Sequence, residues 1–144
     1  MTAEQMWLEF SQKTGIAADY EAWPFGDDPD TLSDLVLRGI KTGTASAFPV
    51  YKAEGEPLPV EGEYSVILDS QDRAVCIIRT DKVYVAPFRE IGEEHARKEG
   101  EGDRSLAYWR QVHEAFFTME MESIGLGFDW DMKVVCEEFT KVYP

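Results

Sequence analysis

A chain of 144 residues with 44% hydrophobic and 12% aromatic side chains is long enough to bury its own core and too apolar to stay disordered. Its net charge of −14 repels long polyanions, so nucleic-acid binding would need a local groove gathering Lys41, Arg38, Arg104 and Arg110. No apolar run is long enough to predict a membrane span, and no basic-then-apolar start predicts a secretory leader.

The two cysteines, Cys76 and Cys136, sit in apolar runs and are expected as free thiols in a reducing, cytoplasmic setting. Thr2 to Thr14 predicts an amphipathic helix, with Thr2 and Gln5 as a capping box and Gly15 as its stop. Ala3, Met6, Trp7 and Phe10 share one face, which should dock on the core. Tyr20 to Pro29 reads as a turn-rich connection whose aromatics Trp23 and Phe25 either stack a planar ligand or plug the core. Thr31 to Arg38 predicts a short helix closed by Gly39.

The next segment, Gly39-Ile40-Lys41-Thr42-Gly43-Thr44-Ala45-Ser46, concentrates one cation, three hydroxyls and two glycines. From Thr42 it reads as a strand, in which Lys41 and Thr44 would face opposite sides. A bulge at Gly43 would turn both toward one pocket. An ammonium beside a hydroxyl suits proton transfer or oxyanion stabilisation; a solvated edge strand is the plainer reading. The glycines lack phosphate-loop spacing.

Phe48 to Tyr51 predicts a weak strand, and Ala53 to Glu63 a solvated acidic loop. Glu63 to Asp69 and Arg73 to Thr80 are β-branched runs that form a hairpin, and Lys82 to Ala86 a further short strand. Pro87-Phe88 opens a polar helix to about Lys98, stopped by Gly100. On it His95 and Glu99 share a face, as a conceivable metal pair or, by default, a surface pair. Asp103 or Ser105 caps a helix from Leu106 to about Ser123, with Leu106, Trp109, His113, Phe116 and Phe117 as its core stripe. His113 there is expected as a satisfied buried imidazole. Lys133 to Tyr143 is the closing strand. Residues 1–144 therefore form a single α+β domain, a small half-open barrel of mostly antiparallel strands with flanking helices. Residues 1–30, the first helix and aromatic loop, pack on it. No metal-ligand spacing or Ser-His-Asp set is recognisable, so neither a metal nor a cofactor is expected.

The octet around Lys41 resembles the G-x-K-x-x-T-x-S signature of the activating-signal-cointegrator homology (ASCH) domain. Glu99 to Leu106, with Tyr108-Trp109-Arg110, His113 and Phe116-Phe117, is similar to its longer bacterial subfamily. The resemblance spans nearly the whole chain and implies a PUA-like barrel with a cleft where the signature strand meets the helix pair. It also implies a tie to RNA or to a small nucleoside-like molecule. One branch of the family removes the acetyl group from acetylated cytidine, and its Lys, Thr and Glu carry over onto Lys41, Thr44 and Glu99. In one scheme Thr44 attacks the acyl carbon, Lys41 takes its proton and Glu99 protonates the leaving amine. In the other, Glu99 activates water and charged Lys41 holds the oxyanion. Trp23, Phe25, Ser46, Asp103, Tyr108, Trp109 and Arg110 are the expected substrate contacts. The alternative is a non-catalytic module that binds RNA or a modified nucleotide.

Overall fold

The computed structural model describes residues 1–144. A five-stranded sheet, ordered β1-β3-β4-β5-β2, carries five helices. The strands are β1 (Tyr20–Pro24), β2 (Gly43–Ala47), β3 (Tyr64–Leu68), β4 (Ala74–Pro87) and β5 (Lys133–Tyr143). The helices are α1 (Ala3–Thr14), α2 (Pro29–Leu37), α3 (Phe48–Glu54), α4 (Glu93–Glu99) and α5 (Leu106–Ser123). Only β1 on β3 is parallel; every other pairing is antiparallel. The sheet curls into the expected half-open barrel.

Local signals explain most element ends. Thr2 caps α1 with the reciprocal Gln5 box, and Gly15 closes it at φ 77°. Asp28 caps α2 with Pro29 in its first turn, and the Ser105 hydroxyl accepts from the Tyr108 amide to start α5. The β3–β4 hairpin turns at Asp69, whose carboxylate accepts from the Gln71 and Arg73 amides.

Four segments differ from the sequence reading. Tyr20–Pro24 is an edge strand rather than a loop: its partner β3 pairs with it 44 residues further on, Tyr20 with Tyr64, and Pro24 is tolerated because it ends an edge. Phe48–Glu54 is a helix rather than a strand, with proline in its first turn and Gly55 at φ 67° as its cap. Arg73–Thr80 and Lys82–Ala86 belong to one long strand that absorbs an irregularity between Thr80 and Lys82 against β5. The helix expected from Pro87 splits into a 3₁₀ turn, Phe88–Glu90, and α4.

Strand alternation sorts the core. Val66, Leu68 and Ile77 meet Met6 and Phe10 of α1 on one side of the sheet. Ile67, Cys76 and Ile78 turn the other way, toward Val36 of α2, Phe25 and Phe139. Under α4 and α5, Phe88, Trp109, Phe117 and Met121 pack on Val134 and Cys136. Both cysteines are buried and free, and burial pushes each thiol up to about 12. The cleft lies between the α2 and α5 sides, over β2 and β5. No helix is long and apolar enough to cross a membrane.

Candidate active site

The cleft forms because residues 40–42 are pinned from three directions. The Ile40 and Lys41 amides both donate to the Leu35 carbonyl of α2, at 2.9 and 3.1 Å. The Thr42 amide donates to the Lys98 carbonyl of α4 at 2.7 Å, and its carbonyl accepts from the Phe139 amide of β5 at 3.0 Å. Gly43 is needed for close approach: a Cβ there would stand 3.2 Å from the Glu137 carbonyl and 3.4 Å from the Lys98 Cβ. No bulge occurs at Gly43, because the β2–β5 ladder is regular from Gly43 to Ala47. Lys41 precedes the strand, so strand alternation does not govern it.

Lys41 is 2% exposed, and its Nζ donates to Glu101 Oε2 at 2.9 Å, Glu99 Oε1 at 3.3 Å and the Glu99 carbonyl at 3.4 Å. Three acceptors match the three hydrogens of an ammonium. Glu99, 1% exposed, takes a donor at each of four lone-pair sites. Oε1 receives Lys41 and, at 3.3 Å, His113 Nε2; Oε2 receives His95 Nε2 at 2.7 Å and the Trp109 indole N–H. Burial alone would raise the Glu99 carboxyl, but the charges of Lys41 and His113 and the surrounding donors hold it well below the usual carboxylate range. Burial pushes His113 down, yet Glu99 and the Trp109 carbonyl, 2.9 Å from His113 Nδ1, bring it above the ordinary imidazole value. Nε2 faces Glu99 and Nδ1 faces the Trp109 carbonyl, so both contacts are hydrogen bonds when the ring carries two protons.

Lys41, Thr44, Glu99, Glu101 and His113 line one small hollow, rimmed by Phe25 and Phe116. The Phe25 ring stands 5.3 Å from the Lys41 ammonium. A larger hollow adjoins it, sharing Phe25, Thr44 and Phe116 and extending past Trp23 and Ser46. The carboxylates of Glu99 and Glu101 and the imidazole of His113 bring three metal-ligating atoms within 4.8 Å of one another. Lys41 already occupies that cation position, so the set does not fit a resident metal.

Thus Lys41, Thr44 and Glu99, which the resemblance picked, share a wall, with Trp23, Phe25 and Ser46 nearby. Ser46 Oγ is engaged with Tyr51 Oη at 2.6 Å. The other four expected contacts are spent elsewhere. Trp109 is buried behind Glu99. Asp103 binds the Ser105 amide at 2.9 Å in the exposed loop. Tyr108 covers Gly102, where a Cβ would meet its ring at 2.5 Å. Arg110 stacks on Trp130 at 5.1 Å with its Nε unpaired. His95 and Glu99 are a buried pair rather than a surface one. Sequence reasoning missed Glu101, the second anchor of Lys41. It also missed Glu137, which stands opposite Thr44 in the β2–β5 register. The i, i+4 spacing of His95 and Glu99 was the available signal for the first cluster; nothing local pairs Thr44 with Glu137.

The family model described as ASCH domain matches residues 21–143. No curated protein matches the sequence. Among solved structures, the chain is similar to an ASCH domain from Lactobacillus crispatus JV V101, with TM-score 0.89 and 30% identity over 99% of this chain and 97% of that one. It is also similar to a protein of Enterococcus faecalis V583, with TM-score 0.89 and 37% identity over 97% and 87% of the respective chains. A further hypothetical protein, 15% identical with TM-score 0.54, shares the fold alone over 85% of this chain and 98% of that one.

Proposed function

The chain belongs to the ASCH-domain family, with its PUA-like fold, and from that premise we propose that its cleft hydrolyses a small linear amide on a nucleoside-like, planar substrate, such as acetylated cytidine. The observation that carries the proposal is the Lys41 ammonium, buried and held by two carboxylates at the floor of a hollow that Thr44 also lines. A fixed positive charge in a partly dry site stabilises the oxyanion of an attacked carbonyl without reorganisation.

This geometry favours the water-activating scheme over the one in which Lys41 is a base, because Lys41 spends its three hydrogens on acceptors. Glu99 is equally committed: with four donors on its two oxygens it anchors Lys41 rather than moving protons. Glu101 is the more accessible carboxylate on Lys41 and takes the base role. Water gives a proton to Glu101 while its oxygen bonds to the acyl carbon; the Lys41 N–H that Glu101 held as a carboxylate then turns to the oxyanion. Glu101 then passes the proton to the nitrogen as the C–N bond breaks, leaving a carboxylic acid and an amine. The Thr44 hydroxyl, which has no protein partner, orients the water or the amide. Phe25 and Phe116 flank the planar group.

The test is turnover of acetylated cytidine and related aryl amides by wild type, Lys41→Arg, Thr44→Ala and Glu101→Gln. Wild type should hydrolyse at least one of them. Glu101→Gln should lose about 10²-fold or more, and Lys41→Arg, which keeps the charge, should retain measurable turnover. Absence of hydrolysis by wild type, or equal rates in wild type, Thr44→Ala and Glu101→Gln, would refute the reading. Lys41→Ala is the less informative variant, since removing one partner of the buried Lys41–Glu99 pair costs about 3–5 kcal/mol of stability.

A further inference from the structure

We propose that the larger hollow is a binding site for a small organic cation, an amine carried on a flat apolar body, next to the Lys41 centre. The site is read by binding and stands or falls independently of amide hydrolysis.

Six carboxylates line this hollow: Glu21 from β1, Glu54 from α3, Glu56 and Glu63 from the loop that follows, Glu120 from α5 and Glu137 from β5. No Lys, Arg or His lines it, and none of the six has a salt-bridge partner, although pairs are common elsewhere on the molecule. Glu63, Glu120 and Glu137 are partly buried in this concave space and Glu21, Glu54 and Glu56 are exposed, so the unpaired negative charge favours entry of a cation. The effect is visible at Glu137, where burial first and then Glu63 and Glu21 push the carboxyl up to about 7, against a weak Thr80 hydrogen bond. Burial and Glu54 likewise raise Glu120.

A second observation points to a ligand. Ser65 is 5% exposed, lines the hollow, and its hydroxyl has no protein partner. It stands on the opposite face of β3 from Val66, which packs on α1, so the hydroxyl is aimed into the cleft. It lies beside Glu21 in the β1–β3 register and offers a directional contact to a bound N–H. Around these polar groups, Trp23, Tyr51, Phe116 and the Pro57-Leu58-Pro59 run supply flat apolar surface. Carboxylates for the charge, a hydroxyl for direction and aromatics for a ring together describe an arylalkylamine-like cation.

Isothermal titration calorimetry with three probes of one shape tests this: tryptamine, 3-methylindole and indole-3-propionate. Tryptamine should bind at least about tenfold more tightly than the neutral and anionic analogues, as a charge-assisted contact implies. At pH 7 its binding should release a proton from Glu137, so the measured heat should vary with the ionisation enthalpy of the buffer. Glu137→Gln should weaken tryptamine about tenfold and abolish that buffer dependence. Equal affinity for the three probes, no binding of tryptamine, or an unchanged affinity in Glu137→Gln would overturn the proposal.

Discussion

Glu99 and Glu137 are carboxylates of one cleft whose surroundings act on them in opposite directions. Glu99 is the more buried, yet Lys41, His113, His95 and Trp109 surround its charge with donors and hold its proton affinity low. Glu137 meets other carboxylates and one distant hydroxyl, and its affinity rises to about 7. In the unfolded chain it would titrate near 4.5, so between those values the folded state holds the extra proton. Its contribution is complete below about 4.5, declines as pH rises through 7, and is constant above. Glu137→Gln should therefore raise stability by about 1–3 kcal/mol at pH 8 and by little at pH 4.5, as read by urea unfolding at both pH values. An equal change at both would show that Glu137 keeps its unfolded proton affinity. Of these residues, Lys41, Thr44 and Glu99 were legible because they sit in short motifs. Glu101 and Glu137 were not, since their importance arises from a loop turn and a strand register that bring distant residues together.

At the scale of elements, the joint between α4 and the Lys41 segment sets the active geometry. Gly100 ends α4 at φ 72° and separates Glu99 from Glu101, so both carboxylates reach one ammonium. A Cβ at Gly100 would stand 2.6 Å from the Ile40 carbonyl, which cannot retreat because the Ile40 and Lys41 amides are tied to Leu35. Gly55 has a similar φ of 67° with open space around it. Gly100→Ala should therefore cost about 2–4 kcal/mol and Gly55→Ala only about 1 kcal/mol, measured by thermal or urea unfolding. Equal losses would mean that backbone conformation alone, and not the contact with Ile40, decides the effect. Helices with local caps, such as α1, α2 and α5, could be read directly from the chain. The edge strand β1 and the helix α3 could not, because a distant partner in one case and a proline-led start in the other outweighed local composition.

For the whole molecule, charge is the ruling property. Of Lys41, Arg38, Arg104 and Arg110, only Lys41 lines the cleft, and it is paired with two carboxylates. Arg38 pairs with Asp34 and Arg104 with the Arg97 carbonyl. The groove that RNA would need is absent from the walls of either hollow. Fluorescence anisotropy with a single-stranded RNA oligomer at low ionic strength should show no saturable binding. Saturable binding that collapses steeply with added salt would restore the RNA-reading alternative.

The position of β5 has a consequence for how the protein is made. It joins β4 to β2, and Glu137 and the anchor for Thr42 arrive on it, although it follows the other four strands of the sheet in the chain. While the ribosome still holds that segment, β2 has no neighbour and the long edge of β4 stays open, so a nascent chain exposes sticky, unfinished strands until translation of the domain is done.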